Sequence, residues 1–158
     1  MAVRLIPGDE PGILDPMKLY LAGPLFTTPE RIWSEAMAAR LETHGYEVYV
    51  PHLHPAPDHS ATSIFRNDKE GIDWADGVVA IMDGADPDSG TCWECGYAYG
   101  VGKPVVLFRS DLRASGDSAD MPYNAMLIGA ADAHVELRLA SPEEAADAVA
   151  TELAKLSG

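Results

Sequence analysis

The chain has 158 residues, 47% hydrophobic and 23% charged, the make-up of one soluble globular domain large enough to bury a core. It holds no run of about 18 apolar residues, so no segment reads as a membrane-spanning helix. Eleven Lys and Arg stand against 25 Asp and Glu, a formal net charge of −14, which argues against a nucleic-acid polymer as partner because such binding needs a basic footprint.

The opening MAVRLIPGDEPGILDP carries Pro, Gly and acids where a signal peptide needs an apolar centre. Residues 1–16 therefore read as a loose extension of a cytoplasmic protein, and 17–158 as a single domain. KLYLAG (18–23) is a short apolar run ending in glycine, a buried strand. Thr27 or Thr28 can cap the next helix, with Pro29 in its first turn and Glu30 completing a capping box on Thr27. Ile32, Trp33, Ala36, Met37 and Leu41 form its apolar stripe, and Gly45 ends it. YEVYV (46–50) is a strand, followed by the Pro/His-rich loop PHLHPAPDHSATS (51–63). IFRNDKEGIDWAD (64–76) reads as a helix with Ile64, Phe65, Ile72 and Trp74 inward. GVVAIM (77–82) is an apolar strand of the kind covered on both faces. A helix is predicted from near Thr91, a strand at KPVVLF (103–108), and a weaker fifth strand at HVELRL (134–139). SPEEAADAVATELAKL (141–156) closes the chain as a helix, with Ser141 as cap, Pro142 at its first position and Glu144 completing a box.

Strands alternating with helices imply an α/β fold, a flavodoxin-like or Rossmann-like doubly wound sheet of five parallel strands. In such a sheet ligands bind beyond the carboxyl ends of the strands. Tyr20, the AGPLF turn with Gly23 and Phe26, the His-rich loop, residues 83–90 and Glu94 then share one rim. So many carboxylates there point to acid–base or covalent chemistry on a small molecule.

DSGTCWECGYAYG (88–100) holds both cysteines of the chain. A metal site would need two further ligands, drawn from His52, His54 or His59. A redox dithiol would draw on a helix N-terminus to lower a thiol's pKa. The pair follows a middle strand, however, unlike the first turn of a thioredoxin-like unit, and the expectation is that Cys92 and Cys95 act as small hydrophobes. Glu94 between them is the stronger candidate. Gly90 and Gly96 permit close approach, Trp93 and Tyr97 supply a flat apolar wall, and Asp88 lies upstream. A carboxylate in such surroundings can be aimed, desolvated and made nucleophilic.

Four stretches in register, YLAGPLF, FRNDKEGIDWADGVVAIMDG, DSGTCWECGYAYGVGKPVV and MPYNAMLIGAAD, resemble the motif series of the nucleoside 2-deoxyribosyltransferases, from about Met17 to Asp132. The resemblance implies transfer of 2-deoxyribose between nucleobases by double displacement, with no metal or organic cofactor. Glu94 matches the family nucleophile, and Tyr20 the tyrosine that orients it. Asp68 matches the aspartate lining the sugar and base pocket, and Asp88 the acid six residues before the nucleophile. Either would pass a proton to the departing base or hold the sugar hydroxyls. Gly23, Phe26 and Trp93 are expected to bind substrate. Asn124 matches an asparagine reaching the sugar's 5′ end from a neighbouring subunit, and Met126 a residue of that shared pocket, so the implied enzyme is a homo-oligomer. The implied partners are a 2′-deoxynucleoside and a free nucleobase.

The related 2′-deoxynucleoside 5′-phosphate N-hydrolases share the scaffold, and their hydrolysis of the N-glycosidic bond is the alternative reading. They tend to carry serine at the position of Asn124 and small polar residues in the first loop. Here that loop is AGPLFTT, which favours an unphosphorylated nucleoside, while Thr27, Thr28 and Arg31 speak for the phosphate. The loop with His52, His54 and His59 would face the nucleobase or lie open to solvent.

Overall fold

A computed structural model describes residues 15–156; the first fourteen residues of the predicted extension lie outside them. In chain order the elements are β1 (Lys18–Ala22), α1 (Thr28–Thr43), β2 (Glu47–Tyr49), a 3-10 turn (Pro51–Leu53), α2 (Ala61–Trp74), β3 (Gly77–Ile81), α3 (Ser89–Gly100), β4 (Val105–Arg109), α4 (Ala125–Ala130), β5 (Ala133–Glu136) and α5 (Pro142–Leu156). The strands form one sheet in the order β2-β1-β3-β4-β5, with every neighbouring pair parallel. This is the predicted doubly wound α/β sheet. The chain runs outward from β1 to β2 and then returns to β3, so the strand order reverses between β1 and β3, where such sheets bind ligands.

Local chemistry sets the element ends. The Thr27 side chain accepts from the Glu30 backbone N–H, and Glu30 accepts in return from the Thr27 N–H at 2.7 Å. Gly45 follows α1 at φ +89°, a left-handed conformation that costs glycine least. Ser141 and Glu144 make the same reciprocal box before α5. All five residues of β3 and all five of β4 are buried, because helices cover both faces of these apolar runs. α1 and α5 pack on one face, where Leu19, Leu21, Met37, Leu41, Val79, Phe108, Val149 and Leu153 form the core. α2, α3 and α4 pack on the other, over Tyr20, Ile72, Val78, Met82, Cys95, Leu107 and Tyr123.

Several expectations need correction. α2 starts at Ala61, capped by Ser60, and its buried residues are Gly71 and Ile72. Ile64, Phe65 and Trp74, expected inward, are exposed. Its packed face runs through residues 67, 68, 71 and 72, so the turn bearing Ile64 and Phe65 overhangs the sheet. Ile32 of the expected α1 stripe is also exposed, the buried face of that helix being Ser34, Met37, Ala38 and Leu41. β5 is shorter than predicted, and residues 137–139 leave it through Leu139 at φ +57°. α4, a six-residue helix, was not anticipated from the sequence.

Candidate active site

Tyr20 lies in β1 two residues before its end, and its ring is fully buried. Its hydroxyl donates to Glu94 Oε1 at 2.6 Å, across 74 residues of sequence. Glu94 sits in the second turn of α3, a helix capped by Asp88, whose carboxylate accepts from the Thr91 N–H at 3.0 Å and the Thr91 hydroxyl at 3.3 Å. The predicted helix start is thus built by one of the predicted site acids. Asp68, half-buried on α2, completes the group: the charges of both Asp68 and Asp88 act on Glu94.

These surroundings change the acid strength of each member. Burial pushes the Glu94 carboxyl up from its ordinary 4.5 to about 7; the Tyr20 hydrogen bond opposes the rise, while Asp68 and Asp88 add to it. Glu94 is therefore a desolvated carboxyl held by one short hydrogen bond. The Tyr20 phenol is held well above its usual range by burial and then by the Glu94 charge, so it acts as a donor and keeps its proton. Asp68 is raised by burial, against a hydrogen bond from Asn67 that lowers it.

The aromatic packing behind Tyr20 was not anticipated. Tyr20 and Tyr49 are register partners on adjacent parallel strands, and their rings stack with centroids 5.6 Å apart. Tyr49 stacks in turn on His54 at 4.1 Å. Gly71 makes this possible: a Cβ there would come within 2.7 Å of the Tyr49 ring and 3.0 Å of the Tyr20 ring. Asn67, one helical turn earlier, donates to the Tyr49 hydroxyl at 3.2 Å and to the His54 carbonyl at 2.7 Å. The sequence signals for these residues were the N-D-x-x-G stretch and a tyrosine near the end of each strand, but neither reveals strand register.

Beside Asp88 a cleft of about 530 Å³ opens at the rim between β1, β3 and β4, lined by Phe26, Glu30, Trp33, Asp83, Asp88 and Arg113 among others. Phe26 is 76% exposed there, and Gly23 packs so closely that a Cβ would meet Ile81 Cβ at 3.1 Å. The cleft is acidic. Its guanidinium, Arg113, is engaged by Asp111 at 2.6 and 3.0 Å, while Arg31 of α1 donates to the Leu25 carbonyl.

The remaining predicted residues lie elsewhere in the subunit. Trp93 is exposed on α3, stacked on Tyr97 at 5.3 Å and edge-on to Phe65 at 5.1 Å. Asn124 caps α4, accepting from the Met126 N–H at 2.9 Å and donating to Asp117. Asn124, Met126, Cys92 and Cys95 line a second cleft of about 490 Å³ between α3 and α4. Both cysteines are free thiols, and burial holds Cys95 up near 12 and raises Cys92 as well, against a reactive thiolate. His52 bonds Glu35 at 2.7 Å with its side chain 10% exposed, and His59 is exposed; the three loop histidines do not gather.

A doubly wound sheet with a desolvated Glu–Tyr pair and two further carboxylates at its rim defines a protein built to act on a small polar molecule. The sequence model of the family described as nucleoside 2-deoxyribosyltransferase matches residues 19–126, and the chain belongs to that family. Among solved structures, the chain is 34% identical to the 2-deoxyribosyltransferase of Bacillus psychrosaccharolyticus, with a TM-score of 0.62, over 76% of this chain and 86% of that one. The 2-deoxyribosyltransferase of Leishmania mexicana shares the fold at 22% identity and TM-score 0.65, over 86% and 96% of the two chains. So does the CMP N-glycosidase of Clostridium botulinum, at 20% identity and TM-score 0.56, over 87% and 98%. No curated protein sequence matches. Among the described residues, no helix is long and apolar enough to cross a membrane.

Proposed function

We propose that the protein transfers 2-deoxyribose from a 2′-deoxynucleoside to a free nucleobase, with Glu94 as nucleophile. The observation that carries this reading is the 2.6 Å Tyr20–Glu94 hydrogen bond, with the carboxyl held near pH 7 by burial. A Glu94 oxygen attacks the anomeric carbon as the C–N glycosidic bond breaks, and the bonding pair leaves with the base nitrogen. Asp68 or Asp88 supplies the proton that the departing base takes up. The resulting deoxyribosyl ester is then attacked by a nitrogen of the acceptor base; the C–O ester bond breaks with its electron pair returning to Glu94, and the proton of that nitrogen passes to the Asp68 or Asp88 carboxylate that gave one up. The transition state resembles an oxocarbenium ion, stabilised by the surrounding carboxylates. The sugar lacks an electronegative 2-hydroxyl, which makes that cation less unfavourable.

The substrate in this reading is an unphosphorylated nucleoside. The cleft beside Asp88 presents Glu30, Asp83, Asp86 and Asp111, and its one guanidinium is already paired. A phosphate dianion there would meet like charge, with the cleft's Arg113 already engaged by Asp111. Asn124 and the exposed Met126 complete the site of a neighbouring subunit, and the enzyme works in the cytoplasm as a homo-oligomer.

Incubation with deoxyinosine and adenine should yield deoxyadenosine, read by chromatography. Hypoxanthine release with no new nucleoside would assign hydrolysis, with water in place of the acceptor base. A 2-fluoro-deoxynucleoside should leave a mass adduct on Glu94; turnover without any adduct on that residue would overturn the covalent route.

A further inference from the structure

We infer that Asn67 is a positioning residue of this site, its side-chain amide tying the Asp68 carboxylate, the Tyr49 ring and the loop after β2 into one wall. The inference rests on the function proposed above. One amide nitrogen serves three acceptors: the His54 carbonyl at 2.7 Å, the Tyr49 hydroxyl at 3.2 Å and Asp68 Oδ1 at 3.4 Å. Two N–H groups shared among three acceptors cannot turn toward one without loosening another. The shortest bond anchors the amide to the backbone of the Pro/His-rich loop. That loop then holds the His54 ring against Tyr49, with centroids 4.1 Å apart. Tyr49 in turn stacks on Tyr20, which donates to Glu94.

Asn67 is also the hydrogen-bond donor that Asp68 has among the described residues. A half-buried carboxylate with a single donor owes its aim to that donor, which here also opposes the upward push of burial. The groups whose charges couple to it are Glu94 from α3, Tyr20 from β1 and Tyr49 from β2, and none of them offers a cation. Placement of an acid that passes protons governs the rate more than it governs affinity.

Two readouts test this, both on the intact protein. In the first, the Asp68 carboxyl is titrated by carbon NMR, its signal assigned with Asp68→Asn, in wild type and in Asn67→Leu. Loss of the donor should move the Asp68 titration to higher pH, whether or not the protein turns over a nucleoside. In the second, base exchange should fall on the order of tenfold in kcat with little change in KM, and Asn67→Gln, which keeps a donor, should recover part of it. If Asn67→Leu does not fold, Asn67→Ala takes its place in both. An unmoved Asp68 titration, or an unchanged kcat in a folded variant, overturns the inference. Should the wild type exchange no bases at all, the functional reading fails instead, and the titration still decides whether Asn67 governs Asp68.

Discussion

The two faces of the sheet are built from different materials. Under α1 and α5 the buried core is aliphatic apart from Met37 and Phe108, with side chains such as Leu19, Leu41, Val79, Val149 and Leu153 nearly excluded from water. Under α2, α3 and α4 it contains Tyr20, Tyr123 and Cys95, and each buried phenol needs a partner: Glu94 for Tyr20, His134 for Tyr123. The first face holds the fold chiefly by burial, with Arg40 of α1 paired to Asp147 of α5 at its edge. The second spends some of that stability to hold an acid where water is scarce, and burial pushes its carboxyl up to about 7. Comparing them teaches that the site belongs to one layer of the domain, and that the two layers can be damaged separately.

The largest effect should come from Glu94→Gln, which leaves Tyr20 an acceptor but removes the proposed nucleophile. Base exchange should drop on the order of a thousandfold or more, while stability at alkaline pH should rise. Because the folded-state pKa of Glu94 is raised, its contribution to stability is full below about 4.5 and is lost as pH climbs through about 7. At pH 8 the wild type carries the cost of a buried charge. Urea unfolding should then find Glu94→Gln more stable by about 1–3 kcal/mol, a gap that closes toward pH 4. Equal stability at both pH values would mean that the carboxyl is not desolvated.

On the other face, Leu41→Ala should cost about 2–5 kcal/mol by opening a cavity, yet leave kcat unchanged at temperatures where the variant stays folded. A fall in kcat would couple the two layers. Next in size, Tyr20→Phe should lower kcat/KM roughly 10- to 100-fold. It removes the hydrogen bond that favours the ionised acid, so the acid limb of the pH–rate profile should move upward from about 7. The smallest effect belongs to Cys92→Ser and Cys95→Ser, which should exchange bases almost as the wild type does; loss of exchange would point to a thiol in the chemistry.

Much of the architecture was legible in the residues. The capping box at Thr27–Glu30, the box at Ser141–Glu144 and the apolar runs of β3 and β4 are local signals, and each element formed about where it was read. α2 was misjudged because Ile64, Phe65 and Trp74 look like core in one dimension, whereas the helix turns its 67-68-71-72 face to the sheet. α4 was missed because six residues carry no full period of hydrophobicity. The site was half legible. Glu94 could be singled out beside its glycines, and Asp88 upstream of it, but no local signal gives the stack of Tyr20 on Tyr49 or the need for glycine at position 71.

By itself, then, the sequence determined every helix but α4, the strands, their order along the chain and the acid most worth watching, since caps, turns and hydropathy act over a few residues. Only the tertiary structure decided that Tyr20 meets Glu94 across 74 residues, that two tyrosines share a register, and that Asn124 and Met126 line a different cleft from Asp88. Those outcomes depend on strand pairing and on burial. Both the desolvation that lifts Glu94 and the proximity that gives it a partner are sums over the whole packed chain, and no short stretch of residues contains them.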